Sequence, residues 1–238
     1  MHRRIERYAR VDSTMTIAAQ LAAEGCLSGT IVVADEQTAG IGRHGHTWIS
    51  EKGVGLYASI VLRLPVEARA LPVVMLALGL AAQEAITEIT SLAPDLRWPN
   101  DVLIGGRKCA GILAQLEGDA IIAGIGVNIA QRSFPPGLAT PATSLLLAGA
   151  RVDRDELLTG LANAVDRCCR ILCDEGASAI LRMFEASSSY ARGRRVRVDQ
   201  PGGAIEGVTQ GLDPSGFLII EQDHGRRSTI YTGGVRSA

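Results

Sequence analysis

Residues 101–129 read DVLIGGRKCAGILAQLEGDAIIAGIGVNI, and they decide the fold. Three apolar runs are broken by Gly105-Gly106 and by Glu117-Gly118-Asp119, residues that turn a chain back on itself. The pattern predicts hairpins in an antiparallel sheet, so the fold class is α+β rather than doubly wound. Upstream, Asp12-Ser13-Thr14 offers N-cap oxygens to a helix whose Met15, Ala18, Ala19, Leu21 and Ala22 recur at helical spacing until Gly25. Residues 30–34 and 55–62 read as strands, and residues 71–90, with Pro72 in the first turn, as a central helix. Downstream, Asp153 caps a helix with Glu156 in the capping-box position, and a break at Gly176 precedes a short helix through Phe184. From Arg194 to Arg236 the helical period disappears. Residues 196–198, 205–208, 217–220 and 228–231 are short strands separated by Pro-Gly-Gly, Asp-Pro-Ser-Gly and Asp-His-Gly turns, which predicts a small barrel. The boundary falls at Ser187-Ser188-Ser189, giving domains 1–188 and 189–238.

The whole chain has 238 residues, enough for one large domain with an appendage. Its 47% hydrophobic and 4% aromatic content builds a core from aliphatic side chains. Lys and Arg number 24 against 25 Asp and Glu, so no global field recruits nucleic acid or a membrane surface. The most apolar stretch, residues 71–82, falls short of the ~20 residues that span a bilayer. Met1 to Arg7 lacks a following apolar segment, so no signal peptide is expected. The five cysteines contain no CxxC pair, and a zinc site needs about four ligands. Cys168, Cys169 and Cys173, the last two on one helix face, are expected to be small core residues in a reducing compartment.

Gly40-Ile41-Gly42-Arg43-His44-Gly45 matches GxGxxG, but residues 47–55 have no helical period, so a dinucleotide fingerprint fails. A P-loop fails as well, because His46 stands where lysine is required. The segment is either a flexible turn or a loop whose amides and Arg43 fold over an anion. Arg97-Trp98-Pro99-Asn100-Asp101 is the second constellation, in which Asn100 and Asp101 either stabilise a turn or serve a site. Lys108 enters an apolar strand, where it is either at an exposed edge or aimed into a cleft at an anion. Gly124-Ile125-Gly126-Val127-Asn128 ends another strand with room for a ligand and one amide head.

In order and spacing, Asp12-Ser13-Thr14, the loop 37–48, Trp98-Pro99-Asn100-Asp101, residues 108–113 and residues 124–128 resemble the biotin protein ligases over nearly the whole chain. The resemblance implies a class II synthetase-like catalytic domain, with a mixed, largely antiparallel sheet and flanking helices, and an SH3-like C-terminal barrel. It implies a biotin–[biotin carboxyl-carrier protein] ligase that takes ATP, biotin and Mg²⁺, forms biotinyl-5′-AMP and acylates a lysine. The partner would be the apo biotin-carrier domain of a biotin-dependent carboxylase, in the cytoplasm. The family's winged-helix DNA-binding module is not expected. By the same resemblance Lys108, Arg43 and Asp101 are catalytic. Biotin would be held by Ser13, Thr14, Gln37, Gly40, Ile41, Gly42, Arg43, Lys108 and Gly111. The adenylate would meet Arg43, Gly45, Trp48, Asn100, Lys108 and Asn128, with no metal held directly by protein ligands. Trp48 either covers adenine or packs the loop.

Two departures matter. The family loop GRGRxGR has Ile41 and His46 in place of its first and third arginines, and the residue after Ser-Thr, commonly Asn, is Met15. The loop has lost permanent charge. A lipoate or octanoate ligase and a non-catalytic biotin-binding protein are the alternative functions. Arg192, Arg194, Arg195 and Arg197 form either a solvated face or a contact for an acidic carrier patch, and pairing of sheet edges would give a homodimer.

Overall fold

Strand pairing follows the β-branched and aliphatic runs. In the computed structural model, which describes residues 3–138, 140–200 and 203–237, seven strands form one sheet. They are β1 (Ile5–Tyr8), β2 (Ile31–Ala34), β3 (Gly55–Leu62), β4 (Asp95–Arg97), β5 (Asp101–Ile104), β6 (Arg107–Glu117) and β7 (Ala120–Asn128), in the order β1-β2-β3-β7-β6-β5-β4. β1 lies parallel to β2, and the other neighbours are antiparallel. The chain is therefore α+β with a mixed, mostly antiparallel sheet, and residues 101–129 supply its hairpins. The edge strands β1 and β4 have no counterpart in the sequence reading.

Side chains alternate across a strand, and the two faces of this sheet bury different partners. Ile31, Val33, Leu56, Ala58, Ile60, Ile112, Ile125 and Val127 share one core with α2 (Leu71–Thr90), α3 (Arg154–Glu175) and α4 (Ala177–Ser187). Val32, Val61 and Ile122 point the other way, onto Met15, Ala18 and Ala22 of α1 (Thr14–Ala23). Past the end of α1, alternation gives this second face Ser59, Gly111, Gly124 and Gly126 between the larger Tyr57 and Leu113. A hollow results there.

Helix α2 has Pro72 in its first turn and ends at Ser91 in the left-handed region, φ 56°. At 20 residues it is longer than the apolar stretch singled out above and meets the length and composition of a membrane span. Its Val74, Leu76, Ala77, Leu78 and Ala81 are fully buried in the shared core, so the hydropathy is that of a core helix. Asp153 caps α3, its Oδ1 accepting from the amides of Asp155 and Glu156 at 2.9 Å each. Cys168 and Cys169 are buried, and burial pushes both thiols up to about 12. Cys173 is exposed, which corrects its expected place in the core. Asp174, Glu175 and Cys173 belong to the last turn of α3, which has run past the core edge before Gly176.

The C-terminal strands β8 (Arg192–Gln200), β9 (Gly203–Leu212), β10 (Leu218–Glu221), β11 (Arg227–Ile230) and β12 (Gly234–Ser237) form a separate antiparallel sheet, β11-β10-β9-β8-β12. Strands β8 and β9 are longer than expected, and β12 is additional. Pro201 and Gly202 of the expected Pro-Gly-Gly turn, like Met1, His2 and Ala238, lie outside the described residues. Val196, Val198, Leu218, Ile220, Ile230 and Val235 join the core of the larger sheet. Gly216, at φ +87°, seats its backbone against Val73 and Leu76, and the Trp98 Nε1–H donates to its carbonyl at 2.9 Å. Ser188 is buried, donating to the Leu96 carbonyl at 2.6 Å, and Ser189 reaches the Asp95 carboxylate.

Candidate active site

The hollow beyond α1 opens into a cavity of about 670 Å³, within the range of small-molecule sites. Its walls are the glycine-bearing face of the sheet, the loop 41–49, parts of the segment 131–142 and the turn that joins β11 to β12.

One end is polar. Ser13 caps α1 by accepting from the Met15 amide at 3.3 Å, which leaves its hydroxyl proton for a ligand. The Thr14 amide and hydroxyl both donate to Gln37 Oε1, at 2.8 and 3.1 Å, and Thr14 Oγ1 lies 2.8 Å from Ser59 Oγ. Since the threonine's single proton goes to Gln37, Ser59 must be the donor to Thr14. Gln37 Nε2 in turn donates to Ser50 Oγ at 2.7 Å, and Ser50 donates to the Trp48 carbonyl at 3.2 Å. Gln37 therefore has a filled acceptor and one N–H remaining. Ser50 and Ser59 escaped the sequence reading. The available signal was a serine inside β3, whose other residues are apolar or glycine and which is buried throughout. Met15 packs beneath this end, where a Cβ on Gly124 would come within 2.7 Å of its sulfur.

The glycine loop closes over the middle. A Cβ on Gly40 would stand 2.4 Å from the Trp48 carbonyl oxygen, so only glycine lets residues 40 and 48 pair, through Trp48 N–H to Gly40 O at 2.9 Å. Between them lies a single 3-10 turn, Arg43–Gly45, with His44 at φ 55° and Gly45 at φ 75°, and no helix follows it. The absence of a helix there agrees with the rejection of both nucleotide fingerprints. Ile41 is exposed at the rim, and His44 Nε2 lies 3.2 Å from Thr232 Oγ1 in the turn between β11 and β12. Burial, then Arg43 and His46, lower the His44 imidazole below its ordinary value. The Trp48 ring rests on Gly111 and Gly126, where Cβ atoms would come within 2.8 and 2.5 Å of it.

The other end is cationic. Lys108 lies near the start of β6 with its Nζ 2.5 Å from Asp101 Oδ1 and 5.4 Å from the centre of the Trp48 ring. It is aimed into the cleft rather than at an edge. Arg43 Nη1 donates to Asn100 Oδ1 at 3.3 Å, while Asn100 Nδ2 holds the Ile112 carbonyl at 3.1 Å. Burial lowers the Arg43 guanidinium pKa and Asp101 opposes that shift. Burial alone would raise the Asp101 carboxyl, yet Lys108 and Arg97 hold it below the ordinary carboxylate range. Asn128 is buried, with Nδ2 on the Thr143 carbonyl at 3.0 Å and Oδ1 accepting from Gln131 at 3.4 Å. Its amide head is thus largely engaged. The structure gathers Ser13, Thr14, Gln37, Ile41, Gly42, Arg43, Trp48, Asn100, Asp101, Lys108, Gly111 and Asn128 around this one cavity. Gly40 lies at the root of the loop, and Gly45 at its tip, with nothing within 4 Å of a Cβ there. The arginines of β8 lie elsewhere. Arg192, Arg195 and Arg197 pair with Glu185, Asp223 and Glu206, and Arg194 covers the Tyr190 ring at 4.0 Å.

A slot with donors and acceptors at one end, glycine walls in the middle and two cations at the other end can place a neutral polar ring, an aliphatic chain and an anion in line. Comparison with known proteins identifies such ligands in relatives. Residues 8–130 match the biotin/lipoate A/B protein ligase family, and residues 192–235 match the biotin protein ligase C terminal domain. The bifunctional ligase/repressor BirA of Bacillus subtilis is 32% identical over 233 residues, spanning 94% of this chain and 71% of its own. The biotin--[acetyl-CoA-carboxylase] ligase of Mycobacterium tuberculosis is 33% identical over 239 residues, spanning 98% and 88%. The biotin protein ligase of Aquifex aeolicus in complex with biotin and ATP superposes with a TM-score of 0.86, at 32% identity and 99% coverage of both chains.

Proposed function

Because the chain belongs to the biotin/lipoate A/B protein ligase family and is a biotin ligase with biotin and ATP as substrates, we propose that it works through biotinyl-5′-adenylate. The acceptor is then a lysine on the biotin-carrier domain of a biotin-dependent carboxylase. One observation carries this reading: Lys108 and Arg43 flank the same end of a slot whose far end is lined by hydroxyl and amide groups.

The ureido ring, which both donates and accepts, binds at Ser13, Thr14 and the remaining N–H of Gln37. The acyl chain runs from Gly124 toward Lys108 alongside the Trp48 ring, which packs on Gly111 and Gly126 as the floor of the slot there. Its carboxylate must then approach a polyanionic phosphate. Two unit charges 4 Å apart repel by about 4 kcal/mol at an effective dielectric of 20, so cations have to stand between them. Lys108 bridges the carboxylate and the α-phosphate, and Arg43 clamps the phosphate from the loop. A carboxylate oxygen bonds to the α-phosphorus, and the bond to pyrophosphate breaks with its electron pair leaving on pyrophosphate. In the second step the carrier's amine nitrogen bonds to the acyl carbon and the carbon–oxygen bond to AMP breaks. AMP takes that electron pair, and the amine's surplus protons pass to water. Mg²⁺ would be carried by the nucleotide's phosphates rather than by a protein cage. Among the described residues no three or more His, Cys, Asp or Glu are grouped to cage a metal, and Asp101 is already held between two cations. The bound ion supplies counter-charge to the phosphates.

Biotin-dependent exchange of labelled pyrophosphate into ATP tests the reading. Exchange with biotin and not lipoate is expected, exchange with lipoate alone reassigns the acyl group, and no exchange with either rejects adenylation. The loop's missing arginine gives a further expected result. Ile41 is exposed at the rim, so an arginine there adds an interaction of roughly 0.2–1 kcal/mol, as exposed ion pairs do. Ile41→Arg should therefore release the adenylate up to about fivefold more slowly in a filter-retention assay. An off-rate equal to that of the native chain would show that a charge at position 41 adds nothing to the retention of the nucleotide.

A further inference from the structure

Arg97 has no part in the mechanism above, yet it is a guanidinium whose side chain is 7% exposed. It closes β4, and its Nη2 donates to Asp101 Oδ2 at 2.5 Å and to Thr140 Oγ1 at 2.7 Å. Its Cζ stands 5.9 Å from the centre of the Tyr190 ring, and its Nε–H is buried without a partner. Taking such a cation out of water and leaving one donor unpaired is costly, and an apolar side chain of similar volume would usually pack there at lower free energy. The return lies in what it does to its carboxylate. Asp101 is met by Arg97 from β4, Lys108 from β6, the more distant Arg43 of the glycine loop, and the neutral Cys109 thiol. With Arg97 on Oδ2, the other oxygen is paired with the Lys108 ammonium at 2.5 Å. Oδ1 thus becomes a free buried acceptor only when Lys108 leaves it for the acyl phosphate.

We propose that Arg97 is a positioning residue for acyl transfer: it pins Oδ2 so that Oδ1 receives the incoming lysine amine, and it stays as the counter-cation of Asp101 when Lys108 is drawn onto the acyl phosphate. The inference rests on the two-step reading above. Adenylation needs Lys108 free of Asp101, whereas transfer needs Asp101 ionised without Lys108. A second cation, fixed by Thr140 and the Tyr190 face, satisfies both requirements.

The test is single-turnover transfer from preformed enzyme-bound biotinyl-adenylate to a purified apo biotin-carrier domain, followed from neutral to mildly acid pH beside pyrophosphate exchange. In the native chain the logarithm of the transfer rate should fall with a slope of one, because a single proton must leave the carrier's ammonium. In Arg97→Gln, Asp101 loses its remaining counter-cation and burial pushes its carboxyl up. The slope should steepen toward two, with transfer about tenfold below native at the acid end for a one-unit rise. Exchange should fall less than transfer. Arg97→Lys, which keeps the charge and loses the fork, should restore a slope of one. If Arg97→Gln does not fold, Thr140→Val loosens the guanidinium while keeping its charge, and should slow transfer more than exchange with the slope still one. A native slope and native transfer in Arg97→Gln, or native transfer in Thr140→Val where only that variant folds, overturn the inference alone. Absence of biotin-dependent exchange in the native chain overturns it together with the functional reading.

Discussion

Replacing Lys108 with alanine is expected to abolish biotin-dependent pyrophosphate exchange. Losing one preorganised donor to a developing oxyanion costs about 10²–10³-fold in rate, and here the donor carries a full charge. Lys108 is the ammonium in contact with Asp101 and Trp48, and Arg43 across the cleft is already committed to the phosphate, so no neighbour can take over the bridge. The fold should survive, because the side chain is partly exposed and Asp101 keeps Arg97. Biotin binding by calorimetry should persist with weakened affinity while exchange disappears. Native turnover by a Lys108→Ala enzyme of unaltered melting temperature would remove this residue from the chemistry.

Gly40→Val should act through the backbone and at both levels, stability and binding. The new Cβ would meet the Trp48 carbonyl oxygen at 2.4 Å and Ser50 Oγ at 2.9 Å, so the two strands of the loop's root must part. Overpacking of this kind typically costs 1–3 kcal/mol, and each kcal/mol lowers the melting temperature by roughly 2–4 °C in a chain of this size. The larger effect is on function. Ser50 orients Gln37, and Trp48 covers the glycine floor, so biotin affinity should fall by more than the loss of stability alone would produce. Gly79→Ala is the control, since its Cβ meets only ordinary contacts at 3.9 Å inside α2 and alanine favours helix. Equal biotin affinity in the Gly40 variant and the control would mean that the root of the loop does not position the pocket.

What could be read from the sequence was what depends on neighbours along the chain. Asp12-Ser13-Thr14 and Asp153 announce caps by composition, and both residues at the N-cap positions, Ser13 and Asp153, do accept the first-turn amides. The Gly-punctuated stretch 101–129 announces its hairpins, and the site motifs, each short and polar in an apolar setting, converge on one cavity. Features that depend on distant partners stayed hidden. β1, β4 and β12 are three or four residues long, and each is a strand only through its pairing with β2, β5 or β8, far away in sequence or too short to announce itself. Helical spacing put Cys173 on the face of Cys169 and could not show where the core ends. Ser50 and Ser59 matter through Gln37 and Thr14, thirteen and forty-five positions away, and Arg97 gains significance through Thr140 and Tyr190.

The seat of Gly216 on Val73 and Leu76, with the indole of Trp98 fastened to its carbonyl, constrains how such ligases can be recombined. Trp98 belongs to the same five-residue motif as Arg97 and Asp101, so the segment that equips the catalytic pocket is also the socket for the C-terminal sheet. A chimaera that borrows this sheet from a relative must import a matching Gly216 turn, or the graft will disturb the pocket through its own anchor. The two sheets are heritable as a pair.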